Sequence, residues 1–102
     1  MRYPIVIHKD EQSDFGVSVP DIPGCYSAGD TYDEALTNAI EAIECHLEGL
    51  LIDNEPIPVG TALDKWINNA EFAGGVWAFI DIDLSQISGK AKRINITMQS
   101  VF

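Results

Sequence analysis

One stretch of this chain spaces its apolar residues as a helix does, and nearly all the remaining regular patterning alternates. Thr31-Tyr32-Asp33-Glu34 opens that stretch as a capping box. In such a box the threonine hydroxyl accepts from the third helical amide and the glutamate side chain answers back. Leu36, Ile40, Ile43, Leu47 and Leu50 then fall within one arc at about 100° per residue, while Glu34, Glu41, Glu44 and Glu48 fall on another. Glu55-Pro56-Ile57-Pro58 removes two amide donors and pushes the residues before each proline toward extended geometry, so the helix is expected to end between 51 and 54. A single helix buries only one stripe, and the rest of the core must come from strands.

The strands are legible in turn. Tyr3 to His8 is short, β-branched and apolar on both sides. Phe15, Val17 and Val19 alternate with Gly16 and Ser18, and the polar run from Lys9 to Asp14 joins the two segments as a hairpin. Pro20-Asp21-Ile22-Pro23-Gly24 is dense in turn formers and leads into a third strand at about Cys25 to Ala28. A short helical turn is expected within 61–69. Val76 to Leu84 alternates again, with Val76, Ala78, Ile80, Ile82 and Leu84 on one side and Trp77, Phe79, Asp81 and Asp83 on the other. After a turn at 85–89, residues 93–98 alternate once more. The order predicts an α+β domain, β-β-β-α-β, with an open, mostly antiparallel sheet, one helix on one face and a trailing carboxy-terminal strand.

At 102 residues the chain has the length of one domain and buries enough surface for a core without disulfide or metal staples. No apolar run approaches the ~20 residues of a membrane span, and Met1-Arg2-Tyr3-Pro4 lacks the features of a secretory signal; the expectation is a cytoplasmic protein with no membrane partner. Cys25 and Cys45 lack CxxC or zinc-ligand spacing and are expected as reduced, packed thiols. Sixteen acids against six bases give −10, which opposes binding to bare nucleic acid and favours a basic partner. All 16 acids and only three of the bases lie in 1–89, leaving −13 there, and Lys90, Lys92 and Arg93 follow as +3.

The run from Asp14 through Phe15-Gly16-Val17-Ser18-Val19-Pro20-Asp21-Ile22-Pro23-Gly24 to Cys25, followed by Gly29-Asp30-Thr31, Glu34-Ala35, Asn38-Ala39 and Glu41-Ala42, closely resembles the amino-terminal signature of HicB-type antitoxins. The likeness continues through Trp77 to Leu84, and Lys92 to Met98 is similar to the segment where many members enter a ribbon-helix-helix DNA-binding module. The resemblance implies a partial RNase H-like domain over 1–89 that neutralises a small, basic, mRNA-cleaving toxin of the HicA type. It also implies operator repression by members with the full carboxy-terminal module. Here Gln99-Ser100-Val101-Phe102 stands where the family pattern has a proline and two helices. Residues 90–102 are therefore expected as a strand-only remnant of a DNA-binding and dimerisation segment, and operator binding by this chain alone is not expected.

A metal-dependent nuclease is the competing reading of an RNase H-like fold. It needs several carboxylates converging on paired divalent ions. Tyr3 to His8 offers none, and Asp81 and Asp83 on one strand face read as solvated charges. No catalytic residue, metal or cofactor is expected. Three candidate surfaces remain. Glu41, Glu44 and Glu48 are either a solvated helix face or the complement of a basic toxin, whose encounter a strongly anionic domain would steer. Trp77, Phe79 and Asp81 are either an anchor patch for a partner or aromatics covered by a loop. Ile94, Ile96 and Met98 either pair with a second copy, as a homodimer or larger homo-oligomer, or fold back onto the domain or stay disordered.

Overall fold

A computed structural model describes residues 1–9 and 14–89. Four strands and one long helix appear in the expected order: β1 (Arg2–Lys9), β2 (Phe15–Ser18), β3 (Tyr26–Gly29), α1 (Tyr32–Ile52) and β4 (Val76–Asp81). They form one antiparallel sheet in the order β3-β2-β1-β4. The first three strands are a meander, and the chain returns after α1 to add β4 on the far side of β1.

β1 is apolar on both sides because both sides are covered. Tyr3, Ile5 and Ile7 join the core beneath α1, while Pro4 and Val6 are buried on the opposite face. A proline inside a central strand is unusual because it cannot donate to a ladder. Here the β2 pairing of β1 begins only at Val6, so Pro4 lies where β4 is its sole strand neighbour.

α1 starts at the expected cap, with Thr31 Oγ1 accepting from the Glu34 amide at 3.1 Å. Its last turn closes when Asn54 takes a left-handed φ of 57° and the Glu55 and Asn54 amides donate to Leu50 and Leu51. That is the geometry in which a short polar side chain ends a helix. The buried stripe differs from the expected arc. Ala35, Ala39, Ile43 and Leu47 are fully buried, Leu36 and Leu50 pack partly against them, and Ile40 is 38% exposed. The alanines shift the contact because they let the helix approach closely: a Cβ on Gly29 would collide with the Ala35 backbone.

Three further differences concern β3 and the chain after α1. β3 begins one residue later than expected. The stretch 53–75 contains two 3-10 turns, Leu63–Lys65 and Ala70–Phe72, where one helical turn is expected. β4 stops at Asp81, three residues short of Leu84, and residues 84–89 are helical, not a simple turn. Asp83 consequently leaves the strand, and its carboxylate accepts from the Ser85 amide at 3.0 Å and the Ser85 hydroxyl at 2.6 Å. The expected sharing of one strand face by Asp81 and Asp83 is therefore lost, because a local cap satisfies Asp83 better than a strand position does.

Candidate partner-binding surfaces

The face of α1 turned away from the sheet is anionic. Glu41 is exposed, and Glu44 and Glu48 are half-buried beside it. Asp33 and Glu34 add two acids in the first turn, favourable near a helix amino terminus, while the last turn has no basic residue. Cys45 is exposed on this helix, unlike Cys25, which belongs to the core; the expectation of packing holds for Cys25 alone.

The outer face of the sheet is built from the alternate residues of β1 and β4. Phe79 lies opposite Pro4 and Trp77 opposite Val6 in the β1–β4 register. Trp77 is half-buried because the segment after α1 crosses this face. Phe72 meets it edge-on at 5.8 Å between ring centroids, and Trp66 meets Phe72 edge-on at 6.1 Å. Phe79 is 44% exposed with the Arg2 guanidinium 4.5 Å over its ring, and Asp81 is exposed at the strand end. The loop covers Trp77, as one of the two sequence readings has it, and leaves Phe79 largely open.

Spacing and periodicity gave no sign of what holds that covering segment. Asp21, in the β2–β3 turn, is buried, and its carboxylate accepts from the Thr61 amide (2.7 Å), the Thr61 hydroxyl (2.7 Å) and the Trp66 indole N–H (3.0 Å). The Tyr3 phenol, donating to the Pro58 carbonyl at 2.7 Å, ties down the same segment from below. Its pKa is pushed up by burial and, secondarily, by the Asp21 charge. Between this segment and the β2–β3 turn lies an open cleft of about 390 Å³, bordered by His8, Ser18, Tyr26, Trp66 and Phe72. Tyr26 stands 70% exposed at the β3 edge of it. The only hint in the sequence was an acid set between Pro20 and Pro23, where a turn fixes its direction.

The two candidate patches do not form one site. Glu41, Glu44 and Glu48 lie on α1, whereas Trp77, Phe79 and Asp81 lie on the opposite side of the sheet. Ile94, Ile96 and Met98 fall outside the described residues. Among the described residues, no group of three or more His, Cys, Asp or Glu side chains is placed to hold a metal ion. No helix among them is long and apolar enough to cross a membrane.

Three known proteins share this chain's pattern. An uncharacterized 14.9 kDa protein from the rep-hol intergenic region of Haemophilus phage HP1 is 46% identical over 101 residues, covering 99% of this chain and 75% of the phage protein. The crystal structure of the Burkholderia pseudomallei antitoxin HicB superposes with a TM-score of 0.78 at 44% identity, over 84% of this chain and 66% of that one. A chain from the HicA3 and HicB3 toxin-antitoxin complex superposes with a TM-score of 0.69 at 35% identity, over 81% of this chain and 99% of that one. The profile described as the HicB_like antitoxin of bacterial toxin-antitoxin system matches residues 3–102. With the sheet order, the long capped helix α1 and that nearly full-length match in agreement, the chain belongs to the HicB-like antitoxin family.

Proposed function

We propose that this chain is the antitoxin of a type II toxin-antitoxin pair: it binds a small basic HicA-type ribonuclease in the cytoplasm and blocks its RNA-binding surface, with no catalysis of its own. The observation that carries this reading is the shared fold with a chain of a toxin-antitoxin complex, over nearly all of that chain's length. The charge supports it. A chain at −10 presents carboxylates where a cationic groove would otherwise receive phosphates, and long-range attraction speeds such encounters.

Within this reading Glu41, Glu44 and Glu48 form the toxin-facing set. Trp77, Phe79 and Asp81 form a second contact patch on the other side of the sheet, for a separate part of the partner or another subunit. Self-association through Ile94, Ile96 and Met98 belongs to the same proposal, and sedimentation of the full chain carrying Ile96→Lys tests it: a lower mass than wild type is expected. The function itself is tested by co-expressing the chain with the product of the adjacent reading frame, expected to be a small basic protein, then assaying transcript cleavage by that product with and without its partner. Protection is expected with no divalent-metal-dependent cleavage by the antitoxin. Cleavage by the antitoxin alone, or indifference between the two proteins, overturns the proposal. Reversing all three glutamates to lysine is expected to slow association ~10-fold at low salt and to flatten its salt dependence. An unchanged rate removes that face from the interface.

A further inference from the structure

Cys25 immediately precedes β3 and Cys45 lies on α1, and the packing of β3 against α1 sets the level at which the two cysteines are expected to meet. β3 runs up to Gly29, the chain reverses through Asp30 and Thr31, and α1 runs back along it. Two contacts fix the alignment: Gly29 abuts the Ala35 backbone, and Asn38 Nδ2 donates to the Ala28 carbonyl at 2.8 Å. From Ala28 back to Cys25 is about 10 Å at a strand rise of ~3.3 Å per residue. The same distance forward from Asn38, at a helical rise of ~1.5 Å, reaches Cys45. Counting from the Gly29–Ala35 contact, about 13 Å along each element, pairs Cys25 with residue 44, one position away.

The facing directions agree as well. Val17 is in the core beneath α1 and pairs with Ser27, so Ser27 and its alternates Cys25 and Gly29 point to the helix side. Asn38 and Cys45 are nearly two full turns apart and so share a stripe, the one from which Asn38 reaches β3. Cys25 is 4% exposed and Cys45 is open to solvent. The Cys25 thiol is pushed above its ordinary range by burial and, secondarily, by the Cys45 charge.

We propose that Cys25 and Cys45 form a dithiol site that hydroperoxides convert to an intramolecular disulfide, tying the entry to edge strand β3 to α1. In the first step the exposed Cys45 sulfur attacks one peroxide oxygen. The O–O bond breaks, Cys45 is oxidised by two electrons to the sulfenic acid, and the peroxide is reduced, releasing water or an alcohol. In the second, the Cys25 sulfur attacks Cys45 Sγ and the S–O bond breaks. The departing hydroxide leaves as water with the Cys25 proton. Cys45 is the peroxide-reacting sulfur because it is the accessible one, and Cys25 resolves it because it is already in place.

The test uses the reduced full chain and hydrogen peroxide under native conditions, followed by alkylation and peptide mapping without reduction. The expected product is a species that has lost two hydrogen atoms from one chain, with the Cys25 peptide joined to the Cys45 peptide. Cys45→Ser is expected to leave Cys25 reduced, its loss slowed at least ~10-fold because the buried sulfur has no activated neighbour. Cys25→Ser is expected to arrest Cys45 as a sulfenic acid trappable by dimedone. Sulfinic acid or an intermolecular dimer at Cys45 in the wild-type chain, with Cys25 still alkylated on unfolding, overturns the proposal. The wild-type map decides this even if a variant fails to fold.

Discussion

The two faces of the sheet are covered by different physics. Beneath α1, Ala35, Ala39, Ile43 and Leu47 meet Ile5, Ile7, Val17 and Ile80 in a cluster of buried, almost entirely aliphatic side chains. Hydrophobic burial there is non-directional and grows with area. On the other face, Val6 is equally buried, but its cover is a loop with Gly75 pressed so close that any side chain there would meet Val6 and His8. That loop is held by directional bonds to one carboxylate, Asp21. The difference teaches that a helix can cover a sheet through pattern alone, whereas an irregular segment needs a specific anchor.

The largest effect is expected where area dominates. Leu47→Ala opens a cavity in the fully buried stripe and should cost ~3 kcal/mol, lowering Tm by roughly 15 °C. Ile40→Ala, on the same helix but 38% exposed, should cost under ~1 kcal/mol. Chemical denaturation of both measures the contrast. Equal losses would mean that the stripe is centred on Ile40 after all and that the two faces are not distinguished in this way.

Next comes the anchor. Asp21→Ala removes a charged acceptor from three donors, at a cost of ~2 kcal/mol. The loss should be local, because what it releases is the 61–75 segment and not the α1 core. Faster amide exchange at Thr61 and Trp66 with protection retained in α1, together with red-shifted tryptophan emission, is the expected signature. Uniform loss of protection would show instead that the outer cover and the helical face fold as one unit.

How much of this was legible follows the same divide. α1, its cap at Thr31 and the alternation of β4 were readable because each rests on near neighbours in sequence. The apolar arc was offset because large aliphatic residues drew the reading toward Ile40, whereas close helix–sheet contact is set by Ala35, Ala39 and Gly29. The Asp21 anchor was out of reach: it joins residues 40 and 45 positions apart, and no periodicity encodes a bond of that range. Of the candidate contact residues, the sequence assigned Glu41, Glu44 and Glu48 to the polar side of α1 and Trp77, Phe79 and Asp81 to one side of β4. It set Trp77 and Phe79 opposite Ile80 and Ile82, on the side facing away from the helix, but did not show which of the two aromatics the loop covers.

A smaller effect is expected at the open end of the outer face. The Arg2 guanidinium over Phe79 is a cation–π contact at a partly exposed site, worth ~0.5–1 kcal/mol. Arg2→Ala should cost no more than that, and Phe79→Ala in the Arg2→Ala background should add only its modest burial. A double-mutant cycle isolates the pair. A coupling well above that range would make this end of the sheet as firmly closed as the helical face and would leave Phe79 less available as a contact residue.

The smallest effect lies where the chain leaves β4, at a point neither cover reaches. The Asp83 carboxyl is held below its ordinary range chiefly by the Ser85 hydroxyl; desolvation opposes this, and the Gln86 and Ser85 amides and the amino-terminal charge assist. A carboxylate whose folded pKa is depressed contributes stability that is present above the unfolded value, ~4, and is lost as pH falls through the folded value. Ser85→Ala removes the largest cause, so the Asp83 titration followed by carboxyl NMR should move upward toward the ordinary range. The acid limb of the unfolding profile should begin at correspondingly higher pH. Because Asp83 is exposed, the change should be confined to that limb, with stability at neutral pH nearly unaltered and both faces of the sheet still protected in amide exchange. A titration that does not move would assign the depression to the Ser85 and Gln86 amides at the start of the 84–89 helical segment, making that segment itself the feature that closes this end of the sheet.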